Sequence, residues 1–165
     1  MIYIDDNETP TRKSIDIHEA RRYPEDDVLH FAALIAEKRI GLMRNVENNI
    51  DRLASYCMKV LGHLEFEVFT AIWLDENGDV IFFDWLFVGD YSGCSVHPIV
   101  CVQRAVEVGA SQVCFVHQHP SQNCSISQAD EAITNKLDKA LELVNVRLVE
   151  HLVVSSSSYS RIIGE

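Results

Sequence analysis

Apolar and polar residues change their spacing several times along this chain, and each change marks an expected element. Residues 1–24 are polar and rich in turn formers (Asp5, Asp6, Asn7, Pro10, Pro24), so they read as an N-terminal arm with one short strand at Met1–Ile4. In 26–39, Val28, Phe31, Ala32 and Ile35 share one helical face, with acids at the start and bases at the end, as the helix dipole favours. Val46, Ile50, Leu53, Ala54, Cys57, Met58 and Leu61 recur at threes and fours, predicting an amphipathic helix over 45–61 capped by Gly62. Two runs rich in β-branched and aromatic residues then flank DENGD, where Asn77-Gly78 signals a hairpin turn. A helix is expected from Pro98 to Gly109, a buried strand at QVCFVH, and a helix from Ser127 with Ala129, Ile133, Leu137, Ala140, Leu141 and Val144 inward. A strand at VRLVEHLVVS follows, then a serine loop and a last short strand. Strands alternating with helices predict an α/β fold, a mixed β-sheet sandwiched by helices.

Composition narrows the function. At 165 residues and 47% apolar, the chain suits one compact domain over 25–165 behind the arm. It has neither a long apolar run nor a basic start leading into one, so no membrane span and no secretory signal are expected. Five cysteines, an odd number with no CxxC spacing, suit reduced thiols and a cytoplasmic location. The net charge of −11, from 14 basic against 25 acidic residues, argues against nucleic acid as a partner. Arg12, Lys13, Arg21 and Arg22 are the nearest thing to a basic patch and read as a solvated arm.

The candidate chemistry lies in CFVHQHPSQNCSISQAD. Side chains two apart on an extended strand point the same way, so His117 and His119 can reach one ion. Pro120 ends the strand, and Ser127 opens a helix whose first turn carries Asp130, a possible third ligand. Three protein ligands with one open position are what a hydrolytic zinc site requires. The same residues have plainer uses: Ser127-x-x-Asp130 also has the form of a helix-capping box. The conjunction HxHPx(6)SxxD directly after a buried strand is far rarer than either half. A hydrolytic site also needs an acid/base. Glu65 and Glu67, at the start of the first hairpin strand, both qualify, and strand parity does not choose between them.

HQHPSQNCSISQAD resembles the JAMM signature of the JAB/MPN metalloprotease superfamily. From Glu65 onward the chain is similar to the RadC-like branch, through EVFTAIWLDENGDVI, LFVGDYSGCSVHPIVCVQRAVEVGA, VCFVHQHPS, SISQADEAITNKLDKALELVNVRLVEHLVV and YSRI. The resemblance implies a mixed sheet between helices, of cytidine-deaminase type. It implies Zn2+ bound by His117, His119 and Asp130. Glu67, eight residues before Asp75, would be the acid/base, and Ser127 would bond the substrate carbonyl or its oxyanion. The expected substrate is a peptide or protein conjugate, cut at an amide or isopeptide bond. A scaffold with little turnover is the alternative, and a DNA-repair role follows from the family label alone. Three positions depart from the usual HNHPSG…PSxxD: Gln118 stands for asparagine, Gln122 for glycine and Ile126 for proline. No helix-hairpin-helix module is evident in 1–62.

The other conspicuous residues read as structural. His97-Pro98 starts a helix, and His151 in the last long strand satisfies a core hydrogen bond or contacts the ligands from behind. Cys124 is a small loop residue between ligands, and Trp73 and Trp85 are core or edge aromatics of the hairpin.

Overall fold

The computed structural model describes residues 35–36 and 38–163. The expected arm, and most of the helix expected over 26–39, lie outside the described residues; positions 35–36 and 38–40 are helical. A five-stranded mixed sheet forms the centre, in the order β2-β1-β3-β4-β5. The predicted hairpin is β1 (Val68–Leu74) against β2 (Val80–Val88). Its turn places Gly78 at φ +79°, a conformation glycine adopts without steric cost. Asp75 Oδ1 accepts the backbone N–H of Asn77 at 2.8 Å and of Asp79 at 2.9 Å, closing the turn. β3 (Gln112–Gln118) lies antiparallel on the other side of β1, β4 (Arg147–Val154) runs parallel to β3, and β5 (Tyr159–Arg161) is antiparallel to β4.

The helices divide between the two faces. α1 (Ile50–Leu61) packs Leu53, Cys57 and Leu61 against Val68, Ile72, Cys114, Val116 and Leu152. α2 (Pro98–Glu107) and α3 (Gln128–Glu142) cover the opposite face, where Cys101, Ala105, Leu137 and Leu141 meet Phe69, Ala71, Trp73, Val113 and Phe115. The even and odd positions of the central strands therefore enter different cores, and every residue of β1 is buried. The single helix expected over 45–61 is divided. Asn45 sits at φ +46° and its side chain accepts from Asn48 N, so a 3-10 turn at Val46–Asn49 precedes α1.

Of the two tryptophans, Trp73 is wholly buried, while Trp85 lies exposed on the edge strand β2. Trp73 Nε1 donates to Asp84 Oδ2 at 2.8 Å, and Arg104 Nε donates to the same oxygen at 2.7 Å, tying α2 to the hairpin. On the other edge, the wholly buried Glu150 carboxylate accepts from His151 N, Ile163 N and Arg161 Nε, which satisfies the charge and holds the C-terminal strand.

One irregularity positions the candidate site. β4 pairs Val113 with Leu148 but Cys114 with Glu150, so the register slips by a residue. A one-residue slip reverses the faces. From there His151, opposite Phe115, shares the α3 side of the sheet with His117.

Candidate metal centre

Three elements meet at one corner of the sheet. His117 is the sixth residue of β3, buried, with its ring stacked 6.1 Å from Phe69. His119 lies just past the strand, its N–H donating to Val154 O at 3.1 Å. Asp130 is in the first turn of α3, whose start faces the strand end. His117 Nε2 is 2.9 Å from His119 Nε2 and 3.1 Å from Asp130 Oδ1, and His119 Nε2 is 3.9 Å from Asp130 Oδ2. In a tetrahedral zinc site with bonds of about 2.0–2.1 Å, ligand atoms stand roughly 3.3 Å apart. The two edges at His117 are close to that spacing, while the His119–Asp130 edge, at 3.9 Å, is wider. Two imidazole nitrogens facing each other at 2.9 Å would repel through their lone pairs unless a cation or proton lay between them. The donor set and its spacing fit a divalent metal ion, and zinc suits its two imidazoles and one carboxylate.

Asp130 divides its two oxygens between two duties. Ser127 is the N-cap of α3 and the capping box is complete: Asp130 N donates to Ser127 Oγ at 3.1 Å, and Ser127 N donates to Asp130 Oδ2 at 2.8 Å. Ser127 Oγ also gives its proton to Oδ2, at 2.6 Å. Oδ1 is left to face His117. Burial works to raise the Asp130 pKa, but the contacts from His117 and Ser127 outweigh it and hold the carboxyl well below its usual range. The capping and ligand readings of SxxD are therefore compatible in one side chain.

Glu67 immediately precedes β1, and the start of the β2–α2 loop encloses it. Its N–H donates to Asp90 O at 2.9 Å, and Gly89 N donates to its carbonyl at 2.8 Å. The backbone at Gly89 and Gly93 is so close that a Cβ on Gly89 would lie 2.1 Å from Gly93 O, so only glycine fits at 89. Glu67 opens, with His117, His119, Ser127 and Asp130, onto a cleft of about 440 Å³. Burial raises its pKa, with Asp130 acting the same way and the two histidines and the Cys94 N–H opposing. Glu65 is exposed and does not line the cleft. The structure thus separates the two acids that strand parity could not.

The two glutamines that depart from the usual signature have distinct surroundings. Gln122 adopts φ +62°, a strained conformation for a residue with a side chain. It donates to Gly62 O at 3.1 Å and accepts from Ser156 N at 2.9 Å and Ser156 Oγ at 2.6 Å. The ligand loop is thereby pinned to the end of α1 and to the serine loop. Gln118 is wholly buried and donates to Leu64 O at 2.7 Å, while its carbonyl oxygen has no hydrogen-bond partner among the described residues. Cys124, in the ligand loop, is buried against Ser158 of the serine loop. Behind the ligands, His151 Nε2 lies 2.8 Å from His117 Nδ1, and His151 Nδ1 lies 2.6 Å from Thr134 Oγ1. Complete burial, reinforced by His117, keeps the His151 imidazole well below its usual pKa and therefore neutral. Thr134 was not singled out from sequence. Its only signal is a polar residue one turn after Asp130, on the buried face of α3.

Comparison with known proteins places the chain in a family. A family model described as "RadC-like JAB domain" matches residues 47–162. A "UPF0758 protein" of Vibrio cholerae serotype O1 is 36% identical over 148 residues, covering 90% of this chain and 94% of that one. A second protein of that name from the same organism is 38% identical over 144 residues, covering 86% and 89%. "UPF0758 protein Pfl01_5539" of Pseudomonas fluorescens is 40% identical over 99 residues, covering 60% of this chain but 44% of its own length. Among the described residues no helix is long and apolar enough to cross a membrane. With a family model spanning most of its length and two relatives matched almost end to end, the chain belongs to the RadC-like JAB domain family.

Proposed function

We propose that this protein is a zinc-dependent hydrolase that cuts an amide or isopeptide bond in a peptide or protein conjugate. The observation that carries the reading is the convergence of His117 Nε2, His119 Nε2 and Asp130 Oδ1 at the wall of a cleft that also holds Glu67. His117, His119 and Asp130 would hold the ion, which supplies Lewis acidity and brings the ionisation of water towards neutral pH. Glu67, with its pKa raised by burial, takes the proton from the attacking water and returns it to the departing amine. Ser127 keeps its bond from Asp130 N and turns its hydroxyl proton from Asp130 Oδ2 towards the substrate oxygen.

The test begins with elemental analysis of the purified chain, expected to give about one zinc per molecule. His119→Ala should lose most of that metal and stay folded, because His119 lies beyond the strand end and only partly buried. Full zinc occupancy in His119→Ala would remove the ligand assignment. A panel of peptides and ubiquitin-like conjugates then tests cleavage. A chain that holds zinc and cuts nothing would favour a scaffold role.

A further inference from the structure

A line of hydrogen bonds runs from the candidate centre into the core. His117 Nδ1 is 2.8 Å from His151 Nε2, His151 Nδ1 is 2.6 Å from Thr134 Oγ1, and Thr134 Oγ1 is 2.6 Å from Asp130 O. His117, His151 and Thr134 are all buried, so water does not compete for these groups. The polarity of the line is set at its far end. A backbone carbonyl only accepts, so the Thr134 hydroxyl spends its single proton on Asp130 O and must itself accept from His151 Nδ1–H. A neutral imidazole carries one proton, so His151 Nε2 accepts from His117 Nδ1–H. His117 Nε2 is then left with a lone pair facing His119 Nε2 and the Asp130 carboxylate, an arrangement that a bound cation satisfies; without the ion a proton at Nε2, donated to Asp130 Oδ1, competes with it. The opposite polarity, with Thr134 donating to His151, would place the proton on His117 Nε2 and block it as a ligand.

We propose that Thr134 and His151 are positioning residues that hold His117 in the tautomer able to bind a metal. The inference rests on the reading of His117, His119 and Asp130 as a zinc site. His119 is set separately, its Nδ1 donating to Asn123 O at 2.7 Å. Thr134 does more than end the line. Its bond to Asp130 O fastens the orientation of His117 to the helical turn that carries the third ligand, so two ligands on different elements are aligned by one hydroxyl. The register slip in β4 is what brings His151 to this side of the sheet.

Thr134→Val removes the hydroxyl and keeps the shape; Thr134→Ser keeps the hydroxyl. Zinc affinity of the full chain is measured by competition with a chromophoric chelator, and the tautomer of His117 by long-range 15N–1H correlation. Thr134→Val should bind zinc about 10–100-fold more weakly, the range for loss of a partner behind a ligand, while Thr134→Ser should recover most of the affinity. If Thr134→Val fails to fold, His151→Gln, which keeps an acceptor for His117 Nδ1, should bind zinc more tightly than His151→Leu. Thr134→Val binding within about twofold of wild type, or His151→Leu equal to His151→Gln, would overturn the inference and leave the zinc site standing. A wild-type chain that binds no zinc would overturn both.

Discussion

Replacing Asp130 by asparagine separates its two duties. Oδ2 accepts from both Ser127 N and Ser127 Oγ, so the single carbonyl oxygen of an asparagine is drawn to that corner. Its Nδ2, a donor only, then faces His117 where Oδ1 stood. The helix cap is largely kept; losing the negative charge at the helix start costs about 0.3–1 kcal/mol, within the range for a weakened cap. The metal loses one of three ligands. Loss of a partner merely behind a ligand weakens binding by 10–100-fold, so loss of a ligand should cost at least about 100-fold. At free zinc near 100 times the wild-type Kd, zinc stabilises the wild type by about 2.7 kcal/mol; at the same zinc, the variant would gain only about 0.4 kcal/mol. For a chain of this size, about 3 °C per kcal/mol converts these to a zinc-dependent rise in Tm of about 8 °C against about 1 °C. Differential scanning calorimetry, run with and without zinc on both proteins, reads all four values. A lowered metal-free Tm together with an undiminished zinc increment would show that Asp130 only caps the helix, and the ligand assignment would be refuted.

Other expectations follow from particular contacts. Glu67→Gln should keep fold and zinc and lose about 10²–10⁴-fold in hydrolysis of any substrate found, whereas Glu65→Gln, exposed and away from the cleft, should match wild type; equal rates for Glu67→Gln and wild type would exclude the proposed proton transfer. Burial pushes the Cys57 and Cys101 thiols up to about 12 and Cys114 well above its ordinary value, so all three stay protonated at pH 8. Maleimide should therefore spare them in the native protein and react with them after denaturation, as mass spectrometry of labelled peptides would show. Binding to duplex DNA at physiological salt should be weak or absent given the charge of −11; micromolar binding with a steep salt dependence in a fluorescence titration would contradict this.

What could be read from the sequence was whatever depends on neighbours along the chain. Apolar spacing located α1, α2, α3 and the hairpin, because burying one face of a regular element imposes its period on the residues. Asn77-Gly78 announced its turn for the same local reason, and HxH with SxxD brought forward the three residues able to hold an ion. Two matters were undecidable at that level. Glu65 and Glu67 have the same parity, and only the wrapping of the 89–94 backbone around Glu67 sets one beside the cleft and leaves the other in solvent. Alternation along VRLVEHLVV, counted from Leu148, would send His151 to the α1 side. The slip opposite Val113 and Cys114 reverses that parity and delivers the ring to His117. Thr134 was silent for the same reason, since a threonine on the inner face of a helix acquires a role only from what the sheet presents to it. Local pattern determines which residues turn inward; which inward residues touch is decided by register and by the packing of elements far apart in sequence.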